Sequence, residues 1–267
     1  MLDSGLRLGQ DTKRPAVIIC PGGGYVYLSP REGEPVAAAY LAKGIDAFIL
    51  NYSLGWDAVG FEPLKELDWA MAVVRERAEE WSIAPDKVFT AGFSAGGHLA
   101  LAGGLLGKTR PDGMILGYPA VSLTGDSTKV LGKLLLGKEE LSGEDERIMD
   151  LTLAVTKDAP PLFVFTTAED TLTFYPSLKL VQAYASLGLP CEFHLFQKGL
   201  HGYSLADEAA ADGSSQVLNR AVSAWLDLSV EWLLSLSGGL EFKDYSTSRM
   251  GKELEKLGLS MDTPGNA

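Results

Sequence analysis

Apolar positions along the chain fall into two alternating patterns. Residues 16–20 (AVIIC), 45–50 (IDAFIL), 87–93 (KVFTAGF) and short runs beginning near 113, 162 and 191 are almost continuously apolar. A run without polar alternation predicts a strand buried on both faces. Between these runs lie longer windows with helical periodicity. They cover residues 32–43, ended by Gly44, then 61–81, 95–107 and 217–236. In the second window Leu64, Leu67, Ala70, Met71 and Val74 share one face. Strand and helix alternate repeatedly, which predicts an α/β fold with a mostly parallel central sheet and helices on both faces. Two segments leave this rhythm. Residues 122–158 read as a polar insertion with two weak helical windows, and 238–267 as a Gly-, Ser- and charge-rich tail. One domain over 1–237 is expected, followed by a tail whose structure the pattern leaves open.

Composition narrows the class of protein. A chain of 267 residues, 46% hydrophobic, with five Trp and ten Phe, is long enough for a large core and too apolar for disorder. The formal charge of −12 disfavours nucleic acid and anionic membrane as partners, because phosphate recognition needs Lys and Arg. No apolar stretch approaches the roughly 20 residues of a bilayer-spanning helix. The first residues lack a basic start followed by an apolar run, so a cytoplasmic protein is expected. Two cysteines, Cys20 and Cys191, make no disulfide framework, and three histidines leave little room for a metal site. No metal and no cofactor are expected, and the oligomeric state stays open.

The chemistry begins at Gly92–Gly96 (GFSAG), between the strand KVFTA and the helix GGHLALA. A G-x-S-x-G turn from strand to helix is the nucleophile elbow of α/β-hydrolases, with Ser94 as nucleophile. The serine takes a strained backbone conformation there, so its neighbours two positions away must be small. The helix that follows also directs its positive N-terminal end at the site. Upstream, Pro21–Tyr25 (PGGGY) ends the first strand. Three glycines allow close approach of the backbone to a ligand. Gly23 and Gly24, together with Ala95 after the nucleophile, are therefore candidate amide donors to an oxyanion.

A serine nucleophile needs a base, and the base needs an orienting carboxylate, in the chain order serine, acid, histidine. His194 lies within the strand CEFHLF and reads as a packed residue. His98, four residues beyond Ser94 on its helix, reads as packing or support. His201, in the loop KGLHG, is the candidate base. Asp170 follows the strand LFVFTT at its carboxyl end, where ligands meet parallel sheets. The triad read from the sequence is Ser94, Asp170 and His201, with Tyr25, Tyr27 and the 122–158 insertion as candidate substrate contacts.

These segments resemble the bacterial α/β-hydrolase esterases of the acetyl xylan esterase-like and lipase/esterase-like group. The resemblance rests on PGGGYVYLSPREGEPVA, ILNYSL, AGFSAGGHLA, GYPAVSL, PPLFVFTTAEDTL and GLHGYSLA, spread over residues 15–207. Pro21 stands where many related esterases carry a histidine, and the group resembled here similarly uses Pro. The resemblance implies the α/β-hydrolase fold. It also implies a metal-independent serine ester hydrolase for short acyl groups, plausibly acetyl groups on carbohydrate such as an acetylated oligosaccharide. Similar proteins carry further strands before the PGGGY strand, so a shortened sheet edge is expected. The same triad also serves serine peptidases and formamidases, because fold and triad do not fix the leaving group. A non-enzymatic binder on this fold usually lacks a triad member. A dehydrogenase would need a G-x-G-x-x-G spacing that Pro21–Gly24 does not provide. Most of the negative charge lies outside the insertion and the tail, which favours an uncharged substrate.

Overall fold

A computed structural model describes residues 13–126, 128–138, 142–238 and 249–258. Six strands form one sheet: β1 (Arg14–Cys20), β2 (Asp46–Ile49), β3 (Ile83–Phe93), β4 (Met114–Gly117), β5 (Leu162–Thr167) and β6 (Cys191–Phe196). Their order is β2-β1-β3-β4-β5-β6, and every pairing is parallel. Among the described residues, ten α-helices accompany them. These are α1 (Glu34–Ala42), α2 (Glu62–Glu76), α3 (Ala78–Trp81), α4 (Ala95–Leu106) and α5 (Lys129–Leu136), then α6 (Gly143–Met149), α7 (Phe174–Ser186), α8 (Arg220–Ser223), α9 (Trp225–Ser237) and α10 (Arg249–Lys256).

The sheet divides the core into two layers, which explains the unbroken apolar strands. Ala16, Ile18 and Cys20 of β1 face one layer with α2, α4 and α7, while Val17 and Ile19 face the other with α1 and α9. In β5, Leu162 and Val164 join the first layer and Phe163 and Phe165 the second. Both faces being covered, neither parity of the strand can be polar. Trp225 is fully buried and stacks on Phe165 with ring centroids 4.5 Å apart and planes 12° from parallel.

Three boundaries differ from the sequence pattern. The 61–81 window splits at Arg77, whose ψ of 10° departs from helical values before α3 resumes. The 217–236 window starts later, because the Asn219 side chain caps α8 by accepting from the Ala221 and Val222 amides, and it divides at Ala224 into α8 and α9. Strand β3 begins earlier than expected, with Arg14 pairing Ile83 before a register shift, while Pro85 in the run obscures the strand in the sequence. The 122–158 insertion is also less of a polar appendage than its composition suggests. Leu123, Leu135, Leu136, Met149, Leu151 and Ala154 are buried in the first core layer.

The expected shortening of the sheet edge concerns residues 1–12, which lie outside the described residues. Of the tail, only α10 and its flank are described. Among the described residues no helix is long and apolar enough to cross a membrane.

Replacing Trp225 by Ala should destabilise the protein by about 3–5 kcal/mol, the usual cost of emptying a large aromatic site. Urea denaturation of the variant against the parent measures this.

Candidate active site

The strand order reverses between β1 and β3. Chain leaving β1 runs outward to β2, whereas β3, β4, β5 and β6 run the other way. A crevice forms outside the carboxyl ends at such a switch point. The loop after β1 and the turn after β3 meet there, and β5 and β6 deliver two further loops at the same end.

Ser94 sits between β3 and α4 with φ 53° and ψ −116°, in the left-handed half of conformational space. The flanking glycines are steric necessities. A Cβ on Gly92 would strike the Gly96 carbonyl, and one on Gly96 would strike the Cys20 and Pro21 carbonyls. The turn is fixed by the Ser94 amide donating to Gly117 O at 3.1 Å and by the Ala120 amide donating to Ser94 O at 2.9 Å.

Three predicted residues come together in one hydrogen-bonded chain. Ser94 Oγ lies 2.8 Å from His201 Nε2, and His201 Nδ1 lies 2.8 Å from Asp170 Oδ2. An ionised carboxylate only accepts, so Nδ1 carries the proton and Nε2 accepts from the serine hydroxyl. Asp170 is 2% exposed. Burial alone would raise its carboxyl, but His201, through its hydrogen bond and charge, the Thr173 hydroxyl and the Leu172 amide outweigh it. The net shift is below the ordinary carboxylate value. The Thr173 hydroxyl is 2.5 Å from Oδ2, and the Leu172 amide is 3.1 Å from Oδ1.

The glycine loop folds on itself. Gly23 and Gly24 adopt φ of 125° and 65°, and the Val26 and Tyr27 amides both donate to Gly23 O. Among the described residues, nothing accepts from the Gly23, Gly24 or Ala95 amide. These donors are therefore free for a ligand oxygen.

Tyr25 is a correction. Expected to touch substrate, it is 1% exposed, and its ring packs edge-on against Tyr52, Phe61 and His98. Its left-handed backbone (φ 60°) turns the ring down into the core. Its hydroxyl lies 2.8 Å from His98 Nδ1. His98 Nε2 lies 2.9 Å from Ile148 O, and since a carbonyl only accepts, Nε2 carries the proton and Nδ1 accepts from Tyr25. His98 is thus the support its position implied, joining α4 to the insertion. Tyr27 remains 57% exposed. His194 packs on Phe163 with centroids 5.0 Å apart and bonds Glu192, as a packed strand residue does.

Glu32 was not singled out in the sequence, and it lies at the centre of the site's support. It is 2% exposed, and its two carboxylate oxygens accept from the Gly22 amide at 2.8 Å and the Tyr118 hydroxyl at 2.5 Å. Tyr118 also accepts from the Ser204 amide at 2.9 Å and sets its ring edge-on to His201, 5.2 Å between centroids. Arg31 Nη2 donates to Gly202 O, and Ser204 Oγ donates to Arg31 O. The segment 31–32 therefore clamps the glycine loop to the histidine loop. Burial raises the Glu32 carboxyl above the ordinary range, despite hydrogen bonds from Tyr118 and Gly22 and the nearby charges of His201 and Arg31. The only sequence signal was an acid at the start of the 32–43 helical window, which spacing rules do not separate from a solvated one.

The fold defines a class of protein, the α/β-hydrolases, and the comparisons agree. The BD-FAE family model matches residues 2–122. The chain is 37% identical to an alpha/beta hydrolase enzyme from a Medee basin deep-sea metagenome library, covering 84% of this chain and 85% of that one, with a TM-score of 0.72. It is 30% identical to the acetyl ester-xyloside bifunctional hydrolase of Caldicellulosiruptor lactoaceticus, covering 90% and 87%, with a TM-score of 0.75. It is also 29% identical over 199 residues to the acetylxylan esterase of Xylanibacter ruminicola, covering 70% of this chain and 41% of that protein. The chain belongs to the α/β-hydrolase family. The matches cover 35% and 41% of the length of two curated relatives.

Two predictions follow from the buried polar groups. In Glu32→Gln, one amide N–H must face either the Gly22 N–H or the Tyr118 hydroxyl, which already accepts from Ser204. This donor conflict should cost about 1–3 kcal/mol, measured by chemical denaturation. Burial lowers His98 from 6.5 to about 4. The native state thus holds the neutral ring, and the unfolded chain binds the proton first as pH falls. The stabilisation is complete above pH 6.5 and is lost progressively down to about pH 4, about 3 kcal/mol in all. Denaturation curves across that window should show the slope, and His98→Gln should remove it.

Proposed function

We propose that the protein hydrolyses carboxylic esters of short acyl groups through an acyl-enzyme on Ser94. The continuous hydrogen-bonded chain Ser94–His201–Asp170 carries this reading, and the unpaired Gly23, Gly24 and Ala95 amides support it. Ser94 Oγ attacks the ester carbonyl carbon while its proton passes to His201 Nε2. The carbonyl oxygen becomes an oxyanion held by the Gly23, Gly24 and Ala95 amides. His201 then protonates the leaving alcohol as the C–O bond breaks. Water attacks the acyl-enzyme, His201 takes its proton, and release of the acid returns the proton to Ser94. Asp170, kept ionised, holds Nδ1–H and stabilises the imidazolium formed at each step.

Acetyl is the acyl group favoured here, and carbohydrate the favoured alcohol. The names of similar proteins, an acetylxylan esterase and an acetyl ester-xyloside hydrolase, support this choice. The negative charge supports an uncharged substrate.

The parent protein should hydrolyse p-nitrophenyl acetate well above the corresponding aryl amide. Ser94→Ala should lower that rate by about 10,000-fold or more with the fold intact by circular dichroism. A fluorophosphonate should label the parent at Ser94 and leave the variant unlabelled. Retained turnover in Ser94→Ala would sink the mechanism.

A further inference from the structure

Between the insertion and α7 lies a cavity of about 360 Å³ that the proposed chemistry does not use. Small-molecule sites span roughly 300–1,000 Å³. One wall is the clasp that closes the insertion. Ser122 and Asp150 bridge as antiparallel partners, and the Leu151 amide donates to Val121 O at 3.1 Å beside them. The facing wall is the turn after Asp170 and the first turns of α7.

Both walls are anchored to the Ser94–His201–Asp170 chain. Ala120, whose amide is bonded to Ser94 O, precedes Ser122 by two residues, a span of at most about 7 Å. Leu172, in the other wall, donates its amide to Asp170 Oδ1. The cavity is therefore tied through both walls to residues bonded to the triad.

The lining chemistry is specific. Hydroxyls of Ser122, Thr124, Thr152 and Thr171 can each donate and accept. Asp150 uses Oδ1 for the Thr152 amide and hydroxyl, at 3.1 and 2.7 Å, and leaves Oδ2 unpartnered among the described residues. The Tyr175 ring is 68% exposed at the rim. Ser122 and Thr124 bond each other at 2.8 Å, and an acyl chain here would strip water from Asp150 Oδ2 and the Thr171 hydroxyl without replacing those bonds. An anion would meet the Asp150 carboxylate as well as Lys179. A neutral polyol suits the site, with hydroxyls around its edge and an apolar C–H face for the aromatic ring.

We propose that this cavity is the subsite for the sugar part of the substrate, with Tyr175 as the platform on which a pyranose ring stacks. The proposal rests on the ester hydrolase reading for its link to catalysis, but binding tests it separately. In the Ser94→Ala protein, titration with unacetylated xylotriose should show saturable binding. Adding Tyr175→Ala should weaken that binding about tenfold. Adding Trp69→Ala, an exposed aromatic on α2, should leave it unchanged. In the active protein, Tyr175→Ala should also lower the preference for acetylated xylotriose over p-nitrophenyl acetate by about tenfold, through KM. Absence of binding, or equal effects of the two aromatic replacements, overturns the subsite. A parent protein that binds xylotriose but cleaves no ester overturns the hydrolase reading and leaves the subsite standing.

Discussion

The rest of the site depends on the backbone of one residue. Ser94 can hold its left-handed conformation only because Gly92 and Gly96 let α4 begin against the carboxyl end of β1. Any side chain at Gly96 would enter the Cys20 and Pro21 carbonyls, so that contact sets how near the glycine loop lies to the serine. The strain of such a conformation persists only where the surroundings over-determine it. Here the sheet supplies the determination. The turn is bonded to β4 through Gly117 and to the segment after β4 through Ala120.

Two buried carboxylates flank this turn, and burial acts on them alike with opposite outcomes. Asp170 accepts from His201, from the Thr173 hydroxyl and amide and from Leu172, and these contacts hold it charged. Glu32 accepts from Gly22 and Tyr118, and there desolvation prevails. One group holds the His201 imidazole by its Nδ1. The other bridges two loops, and its own charge is secondary to its geometry. His98 completes the support from below as a neutral ring between Tyr25 and the insertion.

What was legible in the sequence follows from this physics. The inner strands could be read because burial on both faces leaves no polar parity, while the edge strand β6 alternates polar Glu192 and His194 with apolar residues. Ser94, Asp170 and His201 could be read because each sits at a strand end followed by its own loop, and the structure brings them together within hydrogen-bonding distance. Tyr25 misled because a residue beside three glycines in a loop is expected to be exposed, while its left-handed backbone inverts the ring. Glu32 and Tyr118 stayed hidden because their significance lies in partners 10 and 86 residues away. The insertion looked polar because charged positions outnumber the few leucines and Met149 that carry its packing.

The sequence by itself determined the alternation of strand and helix, the turn at Ser94 and which aspartate and histidine meet that serine. Those features are local: periodicity, small residues at fixed spacing, and order along the chain. The tertiary structure decided which tyrosine faces inward, which buried acid is bridged and which is held charged. It also decided where the insertion and α7 leave a hydroxyl-lined cavity. Those outcomes depend on contacts between distant segments, whose desolvation and hydrogen bonding no local pattern records.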